Sequence, residues 1–170
     1  AKIYSIIKTI KKSKGIVLIY SNFIDGGCVP IALALEEIGF TRFGNKNKSL
    51  FKTPPVNKYK IPGTNSNGKY VMITGNKNLS ISNKDDLKAC TDEDNVNGEK
   101  VKVIIISRAG SEGLDFQNIR QIHILEPWFN MNRADQIVGR GVRNKSHCKL
   151  PFPERNVQVF LYGSELIDNN

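Results

Sequence analysis

Apolar positions along the chain follow two different periods, and the alternation between them predicts alternating helices and strands. Residues 1–14 set Ile3, Ile6, Ile7 and Ile10 at helical spacing with lysines on the opposite side, which predicts an amphipathic helix docked on the domain and stopped by Gly15. GIVLIY at 15–20 is a continuous apolar run of strand length, as expected of a parallel strand covered on both faces. SNFIDGG (21–27) then turns the chain into a helix predicted over 29–40, with Gly39 as its stop, and this opens a βαβ unit.

Residues 44–68 lack sustained periodicity and are rich in Asn, Lys, Ser, Pro and Gly, so they read as an extended surface loop or insertion and as the most mobile part of the chain. A second short strand follows at 69–75, ending in Thr74 and Gly75. After a polar connection (76–82), residues 83–95 read as a short helix with acidic residues near its start, where the helix dipole favours them. VKVIIIS (101–107) is the clearest strand, and IRQIHIL (119–125) is another. NMNRADQIVGRGVR (130–143) predicts a helix capped at Asn130 or Asn132, and NVQVFLYG (156–163) a last strand beyond the Pro-marked loop LPFPER. Strands alternating with helices across short turns imply a mainly parallel, three-layer α/β domain with one core over residues 1–170.

Length and charge narrow this picture. A chain of 170 residues holds one ordinary α/β domain, and no apolar run approaches the roughly 20 residues that span a bilayer. No membrane segment or signal peptide is evident, and the expected setting is intracellular. The net charge of +9 is uneven: residues 1–60 hold 11 Lys/Arg against 3 Asp/Glu, and residues 61–170 hold 14 against 13. Such a surface either attracts a polyanion or is simply a solvated, lysine-rich face. Cys28, Cys90, Cys148, His123 and His147 are scattered without a ligand-pair spacing, which predicts reduced thiols and no metal site. Asp92, Glu93 and Asp94 read as a solvated loop, His123 as a hydrogen-bonded strand histidine, and Trp128 and Phe129 as core or interdomain packing.

One apparent phosphate loop fails on chemistry. GTNSNGKY (63–70) approximates GxxxxGK[ST], yet Tyr70 stands where a Mg2+-binding hydroxyl is needed and the segment precedes a strand instead of linking a strand to a helix. No DExx-type acidic run follows an apolar strand either, so a self-sufficient nucleotidase is not expected. QIVGRGVR is more informative. Gln136, Gly139, Arg140 and Arg143 fall at i, i+3, i+4 and i+7, one helix face, where two guanidiniums beside a glycine suit a polyphosphate. A surface helix whose arginines pair with acidic neighbours has the same spacing. SRAGSEGLDF (107–116) favours the first reading, because it sets small residues and backbone N–H groups at the C-terminal end of a parallel strand, where α/β folds bind ligands.

These segments resemble a known family. Ser107–Asp115 is similar to motif V and Gln136–Arg143 to motif VI (QxxGRxxR) of superfamily 2 helicases and related nucleic-acid-dependent ATPases, and LIYSNF (18–23) to their motif IV. The texture of 112–143 and the HCxLPxxxRNVxVFLY tail look closest to helicase-like nucleoside triphosphatases and early transcription factor subunits of poxviruses and other large DNA viruses. The resemblance implies a RecA-like helicase C-terminal domain, a P-loop NTPase fold lacking the P-loop, whose partner is an N-terminal RecA-like domain holding most of the contacts to ATP and Mg2+. It implies that Arg140 and Arg143 reach the β/γ-phosphates with Arg143 as arginine finger, that Gln136 orients the γ-phosphate or attacking water, and that Asp115 accepts from the ribose hydroxyl. Glu112 and Gly113 would shape the turn between ATP and nucleic-acid sites. Ser21, Asn22, Thr74, Gly75, Ser107, Arg108 and Gly110, at or beyond strand ends, would contact the backbone of single-stranded DNA or RNA. Transcription machinery is a further implied partner, and host cytoplasm or virion the implied location. A non-catalytic nucleic-acid or protein-binding module of a viral transcription factor is the competing class.

Overall fold

The computed structural model describes residues 2–81, 83–127 and 131–164; Trp128, Phe129 and the Asn130 cap expected from the sequence lie outside them. Helix α1 (Lys2–Lys12) leads into strand β1 (Ile16–Ser21), a π-helical turn at Ile24–Cys28 and α2 (Val29–Glu37). Then come β2 (Thr41–Arg42), β3 (Lys69–Ile73), α3 (Asn83–Thr91), β4 (Val103–Ser107), β5 (Ile119–Ile124), α4 (Asn132–Gly141) and β6 (Gln158–Leu161). The strands form one sheet, all parallel, in the order β2-β3-β4-β1-β5-β6. This is the three-layer parallel arrangement expected from the alternation of periods, and it agrees with the RecA-like fold that the resemblance implies.

Strand parity builds the two cores. Ile16, Leu18 and Tyr20 of β1 join Ile104, Ile106, Ile122 and Ile124 on the face covered by α3 and α4. Val17 and Ile19 join Val103, Ile105 and Met72 on the face covered by α1 and α2. Both faces of β1 and β4 are dry, so an alternating polar pattern was never available to them and their sequences are unbroken apolar runs.

Several boundaries differ from the periodic reading. Helix α1 stops at Lys12, where Ser13 Oγ donates to Ile10 O at 2.8 Å, and the buried Lys102 ammonium donates to the carbonyls of Ser13 and Gly15 at 2.9 and 2.5 Å. Burial and the nearby Arg120 push that lysine down to about 8. Asn132 is the first residue of α4 rather than its cap; Met131 holds the capping position with helical angles and no side-chain bond. The helix also ends at Gly141, with Val142 at φ −124° and ψ 85°, so Arg143 lies past the last turn and not on its face. The two-residue β2 was too short to carry a period.

The 44–68 segment carries no helix or strand and lies mostly at the surface, as expected of a surface loop, and a few of its residues tie it to the core. Glu36, on α2 and 2% exposed, accepts from Ser49 Oγ at 2.5 Å, Leu50 N at 3.1 Å and Tyr70 Oη at 2.7 Å. Ile61 is buried, and the Tyr59 ring stacks on Phe40 with centroids 4.6 Å apart. A few anchors spaced irregularly hold the segment, and irregular spacing is invisible to a periodicity test. On the same face, across β1 on strand β5, His123 is fully buried, within 2.8 Å of Tyr162 Oη and 3.2 Å of Gln121 Oε1.

Two measurements probe these anchors. Glu36→Ala strands a buried hydroxyl and a backbone amide, so urea unfolding should show a loss of about 3 kcal/mol, with faster amide exchange at Leu50 and Phe51. Desolvation pushes His123 from 6.5 down to about 4. Between those values the unfolded chain binds a proton that the folded chain refuses, so stability falls as pH falls through this window, by about 3 kcal/mol when complete. The melting temperature of His123→Gln should depend less steeply on pH from 6.5 to 4 than that of the native chain.

Candidate functional site

In this topology the chain leaves β1 toward the far edge of the sheet, works back to β4, and then crosses to β5 on the other flank of β1. A crevice beyond the carboxyl ends of β1 and β4 results, the position where open α/β sheets hold ligands. Three segments from distant parts of the sequence meet there.

The first is the end of β1. Ser21 is fully buried; its Oγ lies 2.9 Å from a Glu126 carboxylate oxygen and 3.0 Å from Phe23 O, two acceptors for its one proton. Asn22 N donates to the same carboxylate at 2.9 Å, and Asn22 Oδ1 accepts from Tyr20 Oη at 2.9 Å and Arg133 at 3.3 Å. Ser21 therefore shapes the turn from within, while Asn22 stands at its surface. Burial raises the Tyr20 hydroxyl against the pull of Arg133 and Arg108, so Tyr20 remains a donor.

The second is the 107–116 loop. Ser107, buried at the end of β4, accepts from Gly110 N at 3.2 Å and closes the turn on itself. Gly110 is required by contact: a Cβ there would lie 1.9 Å from Ile73 O, so only glycine lets the loop seat on the end of β3. Thr74 is likewise buried, its N and Oγ1 both bonded to Ser80 Oγ at 2.8 and 2.9 Å. Gly75 faces Ala109 closely, and Gly113 turns the loop at φ 70°. The Arg108 side chain projects from the loop into solvent, as does that of Glu112. The 63–70 segment forms no phosphate loop: it runs into β3, and Tyr70 Oη is buried on Glu36.

The third is α4. Gln136 and Arg140 line a pocket of about 200 Å³ with Tyr20, Arg108, Glu112 and Arg133, three guanidiniums facing one carboxylate. An excess of forked donors in a small concave site fits polyphosphate oxygens. Arg140 is held in place at both ends, NH1 donating to Leu114 O at 3.3 Å and its carbonyl accepting from Phe116 N at 2.9 Å. Arg143 instead reaches back from beyond the helix: NH1 meets Asp115 Oδ2 at 2.6 Å and Nε donates to Gly139 O at 3.3 Å. Both members of that ion pair are about half exposed, at 54% and 51%, so the pair is worth at most about 1 kcal/mol and exchanges readily for a stronger anion. Among the described residues no three His, Cys, Asp or Glu side chains converge where they could hold a metal ion.

Arg108, Gln136 and Arg140 thus share one pocket; Arg143 and Asp115 pair with each other and are not among its lining residues, and Thr74, Gly75 and Gly110 line a separate groove. Glu126, Tyr20 and Arg133 were missed in the sequence. Arg133 had a signal, since it precedes Gln136 and Arg140 by three and seven positions on the same helix. Glu126, the first carboxylate past a buried strand, had a weaker one.

Comparison with known proteins shows the family of the chain. The family described as Helicase conserved C-terminal domain matches residues 1–145. The chain is 34% identical over 179 residues to the "Termination factor NPH-I homolog" of African swine fever virus, covering 95% of this chain and 25% of that protein. It is 31% identical over 162 residues to a "Putative ATP-dependent RNA helicase" of Acanthamoeba polyphaga mimivirus, with the same coverages of 95% and 25%. It is 41% identical over 96 residues to "Nucleoside triphosphatase I" of Melanoplus sanguinipes entomopoxvirus, covering 56% of this chain and 13% of that protein. The chain spans about a quarter of the length of the first of these relatives.

The carboxylate behind the crevice is the part most exposed to test. Glu126→Ala removes the acceptor shared by Ser21 Oγ and Asn22 N and should lower the unfolding free energy by about 2 kcal/mol, whereas Arg108→Ala at the exposed rim should change it by less than about 0.5 kcal/mol. Chemical denaturation of the two variants side by side checks the difference.

Proposed function

Because the chain belongs to the helicase conserved C-terminal domain family, we propose that it is the second RecA-like domain of an ATP-dependent helicase or translocase, viral and transcription-related. In this role it supplies arginines to a nucleotide held mainly by an N-terminal RecA-like domain, and half of a nucleic-acid track. The observation that carries this reading is the convergence of Arg108, Arg133, Arg140 and Gln136 on one pocket at the ends of β1 and β4. The names of the relatives, a termination factor, an RNA helicase and a nucleoside triphosphatase, point the same way.

In this reading Arg140, already fixed by Leu114 O, contacts the phosphates without rearranging. Arg143 exchanges its Asp115 partner for phosphate when the domains close, and Asp115 is released to accept from the ribose hydroxyl. Breaking an exposed ion pair costs little, while an arginine on the transferring phosphoryl group typically accelerates the reaction by about 10³ to 10⁵. Gln136, exposed one turn before Arg140, orients the γ-phosphate or the attacking water. Bound Mg2+ would neutralise charge between phosphates, and the partner domain provides its ligands. Strand contacts come from the Arg108 side chain, Asn22 and the backbone amides around Gly75 and Gly110, with Ser21, Thr74 and Ser107 shaping the turns that present them. Nucleic acid on that loop is felt at α4 through the bonds from Leu114 and Phe116 to Arg140.

This 170-residue chain by itself should show no appreciable ATPase activity. In a protein that joins it to an N-terminal RecA-like domain, Arg143→Ala should lower turnover by about 10³ with ATP affinity nearly unchanged. Steady-state kinetics together with nucleotide binding separate the two effects, and turnover unchanged by the substitution would falsify the finger assignment.

A further inference from the structure

A groove of about 380 Å³ leaves the 107–116 loop at Gly110 and Leu114 and runs between the end of β3 and α3, over a floor that includes Ile73 and Leu87. Through Lys77 and Lys84, which line both, it opens into a wider depression of about 640 Å³ that reaches Ile81 and Lys46. Lys46 belongs to the start of the 44–68 segment, which the proposed function leaves without a role.

The walls of this groove are fixed to one another. Asn47 Nδ2 donates to the buried Asp86 carboxylate of α3 at 3.2 Å and to Phe43 O at 2.6 Å. Arg42 donates to Lys48 O at 3.3 Å and to Leu79 O at 2.5 Å. Ser80 Oγ bonds Met72 O and Thr74 N, both at 2.8 Å. The 42–48 turn, the 76–80 turn and α3 therefore stand as one preorganised surface, and a ligand loses no loop entropy to them.

Lys46, Lys77 and Lys84 are exposed and make no ion pair with any described residue. The carboxylates facing them are Asp85, on the outer part, and Glu112, on the inner part. Asp86 is occupied by Asn47. Ile81, 57% exposed, and the floor side chains add apolar surface between the lysines. Ammonium groups strung along a groove with apolar surface between them match a single strand, whose phosphates take the charges while unstacked bases and sugars cover the hydrocarbon.

We propose that this groove extends the nucleic-acid track past the 107–116 loop and over the 42–48 turn, with Lys46, Lys77 and Lys84 as phosphate contacts. The proposal rests on the reading that the loop around Arg108 meets nucleic acid. It gives the start of the 44–68 segment a function, that of lengthening the footprint on the strand.

Fluorescence anisotropy of the chain with labelled oligothymidylates of about 5 and about 15 nucleotides, titrated with NaCl, tests it. The variant Lys46→Gln/Lys77→Gln/Lys84→Gln should weaken the long strand about tenfold or more, reduce the slope of log affinity against log salt by about 2, and leave the short strand and the melting temperature unchanged. Arg108→Ala should weaken both strands. A triple variant that holds the long strand with native affinity and slope, while Arg108→Ala is impaired, overturns the extension and leaves the reading beneath it standing. If the native chain binds neither strand, that reading fails and the extension with it. A groove serving an acidic protein partner would instead show itself as native binding of poly-glutamate that the triple variant loses while both strands are held normally, and this too overturns the proposal.

Discussion

The connection from β4 to β5 is the constraint on which the site depends. Parallel strands force the chain to travel from one end of the sheet to the other between them, and here it does so without a helix. A crossing of that kind must bury an apolar anchor and find partners for its own peptide groups elsewhere. Phe116 is the anchor, and α4 supplies the partners: Phe116 N donates to Arg140 O, Arg140 NH1 to Leu114 O, and Asn118 N to Ser146 O just beyond the helix. Loop and helix are thus bonded to each other at Leu114 and Phe116, and just beyond the helix at Asn118.

Two kinds of carboxylate occur in the fold, and what each one bonds separates their roles. Glu36 and Glu126 collect backbone amides and hydroxyls from segments far away in sequence, and each fixes a turn that has no regular structure of its own. Removing either takes away an acceptor shared by groups from two or more segments, so these acids are architectural. Asp115 stands half exposed against Arg143, where solvent screens the pair. An interaction that weak can be exchanged during a cycle.

The family resemblance and the geometry meet at the same residues but do not assign them equally. Ser21, Thr74 and Ser107 were grouped with Asn22 and Arg108 because all follow strands. In the folded chain the three hydroxyls point inward and stabilise turns, and only the side chains of Asn22 and Arg108 reach the surface. Gly75 and Gly110 matter through contact, because they let the strand-end loops approach each other.

By itself the sequence determined the layers. Continuous apolar runs in β1 and β4 require burial on both faces, which only a parallel sheet between helices provides, and the GR-bearing helix was legible because one face of a helix repeats on a short, local period. Long-range choices were not legible in this way. The docking of Ser49 and Leu50 onto Glu36, the pairing of Arg143 with Asp115 and the placement of Glu126 all join residues separated by many positions, with no period to announce them. Those contacts depend on which strand ends the topology brings together, and only the tertiary structure decided that.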